Sequence, residues 1–231
     1  MDPRQLFVDE RLTGSCVFCA AKPDSRDHCP SKVLLDDPLP PNLPVVEACQ
    51  SCNNCFSADE QYLACAIEAV LCGSVRSEDL RRDKIKRILE ANPSLAARIV
   101  ENRRVDDAGH VVWRVEAERV HNVVVKLARG HIAYELSVPH VDEPDEVMYL
   151  PLIAMNADDR VVYESPIVSD LQVWPEIGSR AFLRAANWPN ELLTDWQVVQ
   201  DGRYRYLVGQ QDGDFVQIVL SEYLACRVVW R

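Results

Sequence analysis

Nine cysteines occupy this 231-residue chain, and eight of them fall within the first 72 positions. Cys16 and Cys19 form one C-x2-C pair and Cys49 and Cys52 a second, with 29 residues between them. Each pair closes a tight knuckle that presents two thiolates to one ion. Two such knuckles complete the tetrahedral shell of a structural Zn2+, whose bonds of about 2.3 Å require the four sulfurs to converge to roughly 3.5–4 Å from one another. Cys29 and Cys55 stand close enough in sequence to substitute in that shell. Cys65 and Cys72, seven apart on one helical pattern, read as packed thiols.

The segment between and just after the knuckles holds a second kind of chemistry: Asp27-His28, Asn42, and Asn53 directly after the second knuckle. A carboxylate and an amide oxygen are ligands for a hard divalent ion. An imidazole that is mostly neutral near pH 7 accepts a proton from water. An ion held beside it stabilises charge on a scissile phosphate and its leaving oxygen.

These residues carry a resemblance. The stretch from Cys16 to Tyr62 reads C-V-F-C, then D-H-C-P-S-K-V-L-L, then N-L-P-V-V-E-A-C-Q-S-C-N-N-C-F-S-A-D-E-Q-Y. It resembles the HNH endonucleases, the ββα-metal or His-Me finger family, in a subtype that ends in Asn. The resemblance covers about 50 of the 231 residues. It implies that His28 is the general base, that Asp27 and Asn53 ligate a catalytic Mg2+ or Mn2+, and that Asn42 holds the loop and orients His28. It further implies that Cys16, Cys19, Cys49 and Cys52 hold a separate zinc that does no chemistry. Asp59 and Glu60 would be partners of Asn53 or simply helix-start charges. The family's usual Lys after the last motif residue is missing, since Asn54, Cys55, Phe56 and Ser57 fill that stretch.

The elements that must position these groups are short. Lys32–Leu35 and Leu43–Val46 read as strands joined by the proline-rich loop from Asp36 to Asn42. Ser57 with Glu60 makes a capping-box pattern, and Leu63, Ala66, Ile67, Val70 and Leu71 line one helix face up to Gly73. Adjacent strand residues leave opposite faces, so Asp27 and His28 require the helix start to pack across the strand and bring Asn53 to them. A second helix is expected from Ser77, with Arg81, Arg82, Lys84, Lys86 and Arg87 on it, and a short third from Pro93 to about Asn102. Asp106-Asp107-Ala108-Gly109 reads as a turn, Val111–Val115 as a strand, and Glu116–Leu136 as helix interrupted by Gly130. Arg203–Val208 and Phe215–Leu220 flank Gln211-Asp212-Gly213-Asp214 as a β-hairpin. His110, His121, His131 and His140 follow no ligand spacing.

The expected class is therefore α+β: a zinc-stapled ββα-metal finger at 1–75, a basic helical connector at 76–104, and an α+β domain of unknown role at 105–231 with an antiparallel β-rich end. Charge follows the same division. Residues 1–60 hold 5 basic and 10 acidic side chains, net −5; residues 76–104 hold 9 and 5, net +4; residues 105–231 hold 11 and 20, net −9. The total of −11 argues against broad nucleic-acid binding but leaves room for a local basic face. No run of 18 apolar residues is present, so no membrane span is expected, and the N-terminus lacks the apolar core of a signal peptide. The expected compartment is the cytoplasm, where clustered thiols serve metals. The function implied is a metal-dependent endonuclease acting on nucleic acid, DNA first, with a possible protein partner through 105–231. The alternative is a non-catalytic zinc-stabilised module that keeps the same fold and binds protein or nucleic acid.

Overall fold

The protein is described from a computed structural model that covers residues 14–41, 43–105, 107, 109, 111–165, 176–182, 195–210 and 212–231. In chain order the elements are β1 (Ser25–His28), β2 (Val45–Ala48), α1 (Gln50–Cys55), α2 (Ser57–Cys72), α3 (Asp83–Ala91), α4 (Pro93–Glu101), β3 (Arg103–Val105) and β4 (Val111–Trp113). They continue with α5 (Ala117–Leu136), β5 (Glu146–Pro151), α6 (Ala157–Glu164), β6 (Gln197–Gln200), β7 (Tyr204–Gln210), β8 (Asp214–Leu220) and β9 (Leu224–Trp230). Two compact units result: Met1–Cys55 with Val124–Arg231, and Phe56–Val123.

The first unit is built around the Val124–Leu136 part of α5. From Val123 to Ala133 every residue of this helix is buried, so it lacks a solvent face, as an apolar helix inside a core must. On the C-terminal side lies an antiparallel sheet in the order β5-β9-β8-β7-β6. Side chains alternate across it. One face carries Tyr204, Tyr206, Ile218 and Cys226, and His131 of α5 stacks on Tyr206 with ring centroids 3.7 Å apart. The other face carries Val219 and Ala225, which pack against Leu152 and against Tyr163 of α6. The Tyr163 hydroxyl donates into the backbone of this sheet, 3.0 Å from the Ile218 carbonyl and 2.8 Å from that of Cys226. Both faces are thus covered, and β8 and β9 are almost continuously apolar and buried.

The N-terminal segment meets the same helix. Cys29, which follows β1, is buried and its thiol lies 3.4 Å from the Leu127 carbonyl. Gly130 sits opposite it: a Cβ there would fall 2.7 Å from the Cys29 sulfur. The glycine that interrupts the helical pattern is therefore a close-approach residue and leaves the helix unbroken. A further tie joins the proline-rich loop to the sheet. Gln200 accepts from the Asp36 amide at 2.8 Å and donates to its carbonyl at 3.1 Å, while Arg203 pairs with the Asp36 carboxylate.

In the unit Phe56–Val123, α2 carries a buried Glu68 whose carboxylate receives the backbone amides of Arg81 at 2.9 Å and Arg82 at 3.0 Å. This is a cap at the entry to α3. The Asn92 side chain caps α4 by accepting from the Leu95 amide. Tyr62 accepts from the Glu116 amide at 2.7 Å, and Asp59 binds Asn122 at 3.0 Å and Arg119 at 3.2 Å.

Several expectations are corrected. The first strand is Ser25–His28, and Lys32–Leu34 is a 3-10 turn. Leu34 and Leu35 are both buried, which two consecutive residues of a one-sided strand would not be. Ser57 does not cap α2, because α1 ends one residue before Phe56, which is itself helical in conformation. The helix expected from Ser77 starts at Asp83, since the Glu68 carboxylate holds Arg81 and Arg82 in a non-helical approach. The stop at Gly73, in the left-handed region at φ 69°, the long helix to Leu136, and the hairpin β7–β8 are as expected. Asp106 and Ala108 of the expected turn, His110, and Gln211 of the hairpin loop lie outside the described residues.

Two outcomes follow from the packing of α5. Gly130→Ala should lose about 1–3 kcal/mol to the clash with Cys29, measured by urea unfolding. In a Cys29→Ala background the same change should be close to neutral or stabilising, because alanine is preferred over glycine in helices by about 1 kcal/mol. The second outcome concerns His131. Burial holds its pKa well below the usual 6.5, with Lys126 adding to the effect, so the folded state keeps it neutral. Its Nε2 meets the Tyr204 hydroxyl at 2.7 Å, and its Nδ1 has no partner among the described residues that a second proton could use. The unfolded chain takes up that proton as pH falls through about 6.5, so stability is lost below that pH, by at most about 1.4 kcal/mol per pH unit. His131→Gln should flatten the decline between pH 6.5 and 5 relative to the wild type, and parallel curves would refute this.

Candidate metal centre

The two knuckles converge. The sulfurs of Cys16, Cys19, Cys49 and Cys52 all lie within 4.8 Å of one another, and those of Cys19 and Cys49 are 3.7 Å apart. Local backbone explains the geometry. The Cys16 amide donates to the Ala21 carbonyl at 2.7 Å and the Ala20 amide to the Cys16 carbonyl at 2.8 Å, with Ala20 at φ 59° turning the first knuckle. The second knuckle is the start of α1, where the Asp24 carboxylate receives the Gln50 amide at 2.6 Å. The Val17 amide reaches the Glu47 carbonyl at 3.1 Å, which ties the first knuckle to β2.

Electrostatics favour a cation among these thiols. The Cys52 N–H points at the Cys49 sulfur at 3.4 Å and lowers the Cys49 thiol to about 7. Burial pushes the Cys16 and Cys52 thiols up, and the other thiols of the cluster raise Cys52 further. Four sulfurs this close cannot all ionise alone; a divalent soft cation reverses that logic and stabilises four thiolates. The donor set therefore fits one structural zinc. Cys29 and Cys55 are not part of it, because Cys29 faces the Leu127 carbonyl and the Cys55 thiol lies 3.1 Å from the Cys52 carbonyl.

The remaining expected site residues lie around β1. Asn53, on α1, donates from Nδ2 to the Arg26 carbonyl at 3.2 Å and toward the Ser25 hydroxyl at 3.4 Å. It is the short helix α1, and not the helix start expected at Ser57, that meets the strand through Asn53. Asp27 pairs in register with Val46 and is buried, while His28 pairs with Val45 and is half-buried. Alternation sends these two side chains to opposite faces of the ribbon. Asn42 lies outside the described residues.

The Asp27 carboxylate has a partner that the sequence reading did not single out. The Lys126 ammonium of α5 sits 2.6 Å from Asp27 Oδ2 and 2.8 Å from the Ser31 hydroxyl, and it is 2% exposed. It also lies 5.9 Å from the centre of the Phe18 ring, within cation–π range. The signal was available in Val123-Val124-Val125-Lys126-Leu127-Ala128, where one charge interrupts an apolar run on a helix. Such a charge must find a counter-charge once the helix is buried. Asp59 is engaged with Asn122 and Arg119, the role of a helix-start charge. His140 bonds Asp214 at 2.8 Å and stacks on Trp230, a structural place. No helix among the described residues is long and apolar enough to cross a membrane.

Metal analysis checks the centre. The purified chain should carry about one zinc, and Cys49→Ser or Cys52→Ser should abolish it and lower the unfolding midpoint. Uptake of zinc by metal-free protein should release protons, and acidification should reverse it, because the metal binds thiolates. Full stability without metal, or full zinc content in Cys52→Ser, would rule the site out.

No family model, curated protein or solved structure matches the chain.

Proposed function

We propose that the chain is a zinc-stapled module of HNH type that binds its target without cutting it. The observation that carries this reading is the buried ion pair between Asp27 and Lys126. A catalytic Mg2+ or Mn2+ needs a carboxylate with coordination sites to spare and room for water, since Mg2+ dehydrates reluctantly. Asp27 instead has its charge compensated by an ammonium at 2.6 Å in a site closed to solvent. As they stand, Asp27 and Asn53 do not fit a divalent ion, and His28 leaves the strand on the other face. Removing either partner of a buried pair typically costs about 3–5 kcal/mol, so the pair also resists opening to admit a metal.

A second reading, the metal-dependent endonuclease with His28 as base, is favoured by one observation. Asn53 does reach the β1 backbone immediately before the Asp27-His28 dipeptide, as that chemistry would require. Cleavage assays separate the two. Zinc-loaded protein incubated with plasmid, single-stranded DNA or RNA and Mg2+ or Mn2+ should leave each intact to the level of a His28→Ala control. Loss of a general base costs about 10²–10⁴-fold. Metal-dependent cutting that falls by that factor in His28→Ala, with zinc content unchanged, would establish the nuclease instead.

A further inference from the structure

Cys52 belongs to two overlapping C-x2-C pairs. It closes the second knuckle with Cys49, and it opens the run Cys52-Asn53-Asn54-Cys55. The metal centre accounts for the first pair only, since the four converging sulfurs are those of Cys16, Cys19, Cys49 and Cys52. The surroundings of the nine cysteines differ. Cys29, Cys65 and Cys226 are buried, and so is Cys16 within the centre. Cys19 and Cys55 are exposed. Cys19 is one of the four sulfurs of the shell, whereas Cys55 is an exposed thiol beside the shell and outside it.

Local geometry sets Cys55 for reaction with Cys52. Both lie on α1, and Cys55 is its last residue. The Cys55 thiol is turned back along the helix, 3.1 Å from the Cys52 carbonyl. Residues three apart on an α-helix have Cα atoms roughly 5 Å from each other, inside the span of about 4.4–6.8 Å that disulfides use. Their Cβ atoms, about 5–6 Å apart on a regular helix, must close to about 4 Å. That shift falls on the final residue of a six-residue helix, where the end frays most readily.

We infer that Cys55 is a redox thiol that takes Cys52 out of the zinc shell. A hydroperoxide oxidises the exposed Cys55 thiol to a sulfenic acid and is itself reduced, to water in the case of hydrogen peroxide. The Cys52 thiolate then attacks the Cys55 sulfur. A sulfur–sulfur bond forms, the sulfenic S–O bond breaks, and the hydroxide leaves as water after taking one proton from solvent. Two electrons have passed from the two thiols to the peroxide. The shell is left with three thiolates, short of the four that a structural zinc site uses, and its hold on the ion falls. A dithiol reductant reverses the disulfide and returns Cys52 to the shell. Asn53 lies inside the ring that the new bond closes, and its Nδ2 carries the contact to the Arg26 carbonyl. Oxidation therefore acts on the clasp between α1 and β1 as well as on the metal. The inference rests on the metal centre and holds whether or not the chain cuts its target.

The test treats the full zinc-loaded chain with hydrogen peroxide. Released zinc is read with a chromogenic chelator, and disulfides are mapped by mass spectrometry after alkylation. The wild type should lose its zinc, and the first bond formed should join Cys52 to Cys55. Dimedone added with the peroxide should label Cys55 as the sulfenic acid. Dithiothreitol followed by zinc should restore the metal content. Cys55→Ser should bind zinc to the wild-type level and keep it through an exposure that empties half of the wild type. Alkylation of Cys55 in the zinc-loaded wild type should protect the metal in the same way, a check that does not depend on how the variant folds. The oxidised wild type should unfold at a midpoint below that of the reduced form and near that of Cys52→Ser. Release from Cys55→Ser at the wild-type rate would overturn the inference. So would a first disulfide between Cys19 and Cys49, whose sulfurs already lie 3.7 Å apart. Zinc retained while Cys55 proceeds to the sulfinic acid would overturn it as well.

Discussion

The first unit depends on one constraint: a helix buried all round carries a lysine in its interior. An isolated ammonium taken out of water is too costly to keep. Lys126 is kept by a carboxylate at 2.6 Å, a serine hydroxyl at 2.8 Å and an aromatic face, all supplied by residues 18–31. The pairing sets where β1 lies against α5. Cys29 and Gly130 then set how close it comes, because a hydrogen in place of a side chain at Gly130 leaves room for the sulfur.

Against that fixed edge, the rest of the N-terminal segment has little apolar surface of its own. Its ribbon is two strands of four residues, and α1 is six residues long. A structural zinc compensates for a core too small to hold such a segment. A metal held by the four sulfurs would join the turn around Ala20 to the start of α1, and the backbone bonds of Val17 and Gln50 extend that join to β2 and to Asp24. Asn53, held to the Arg26 carbonyl, acts within this frame as a clasp between helix and strand.

The opposite side of α5 uses a related solution. His131, Tyr204, Tyr206 and Glu135 are buried polar groups placed against one face of the sheet. Hydrogen bonds between them offset the loss of water, and ring stacking fills the space between helix and strands. The same helix thus meets an ion pair on one side and a hydrogen-bonded polar cluster on the other. Whether a cation at Asp27 does chemistry or only balances charge comes down to what that cation is. A lysine ammonium on a helix is covalently retained and has no coordination site to offer a phosphate.

Periodic and covalently encoded features were legible in the sequence. The two C-x2-C pairs imply convergence whatever the rest of the chain does, because zinc geometry demands it. The 3.6-residue pattern to Leu136 and the turn at Asp212-Gly213 are local signals, and both elements form. The resemblance placed Asp27 and His28 on a strand, but its bounds, Ser25–His28, were not legible, since four residues of mostly polar type have no apolar alternation to detect. The start of α3 was misplaced because the Arg81 and Arg82 amides are held by the distant Glu68 carboxylate in place of a local cap. The ion pairing of Asp27 was decided by tertiary structure alone. Its partner lies 99 positions away in sequence, and local pattern holds no information about which buried charge a folded chain will bring to a carboxylate.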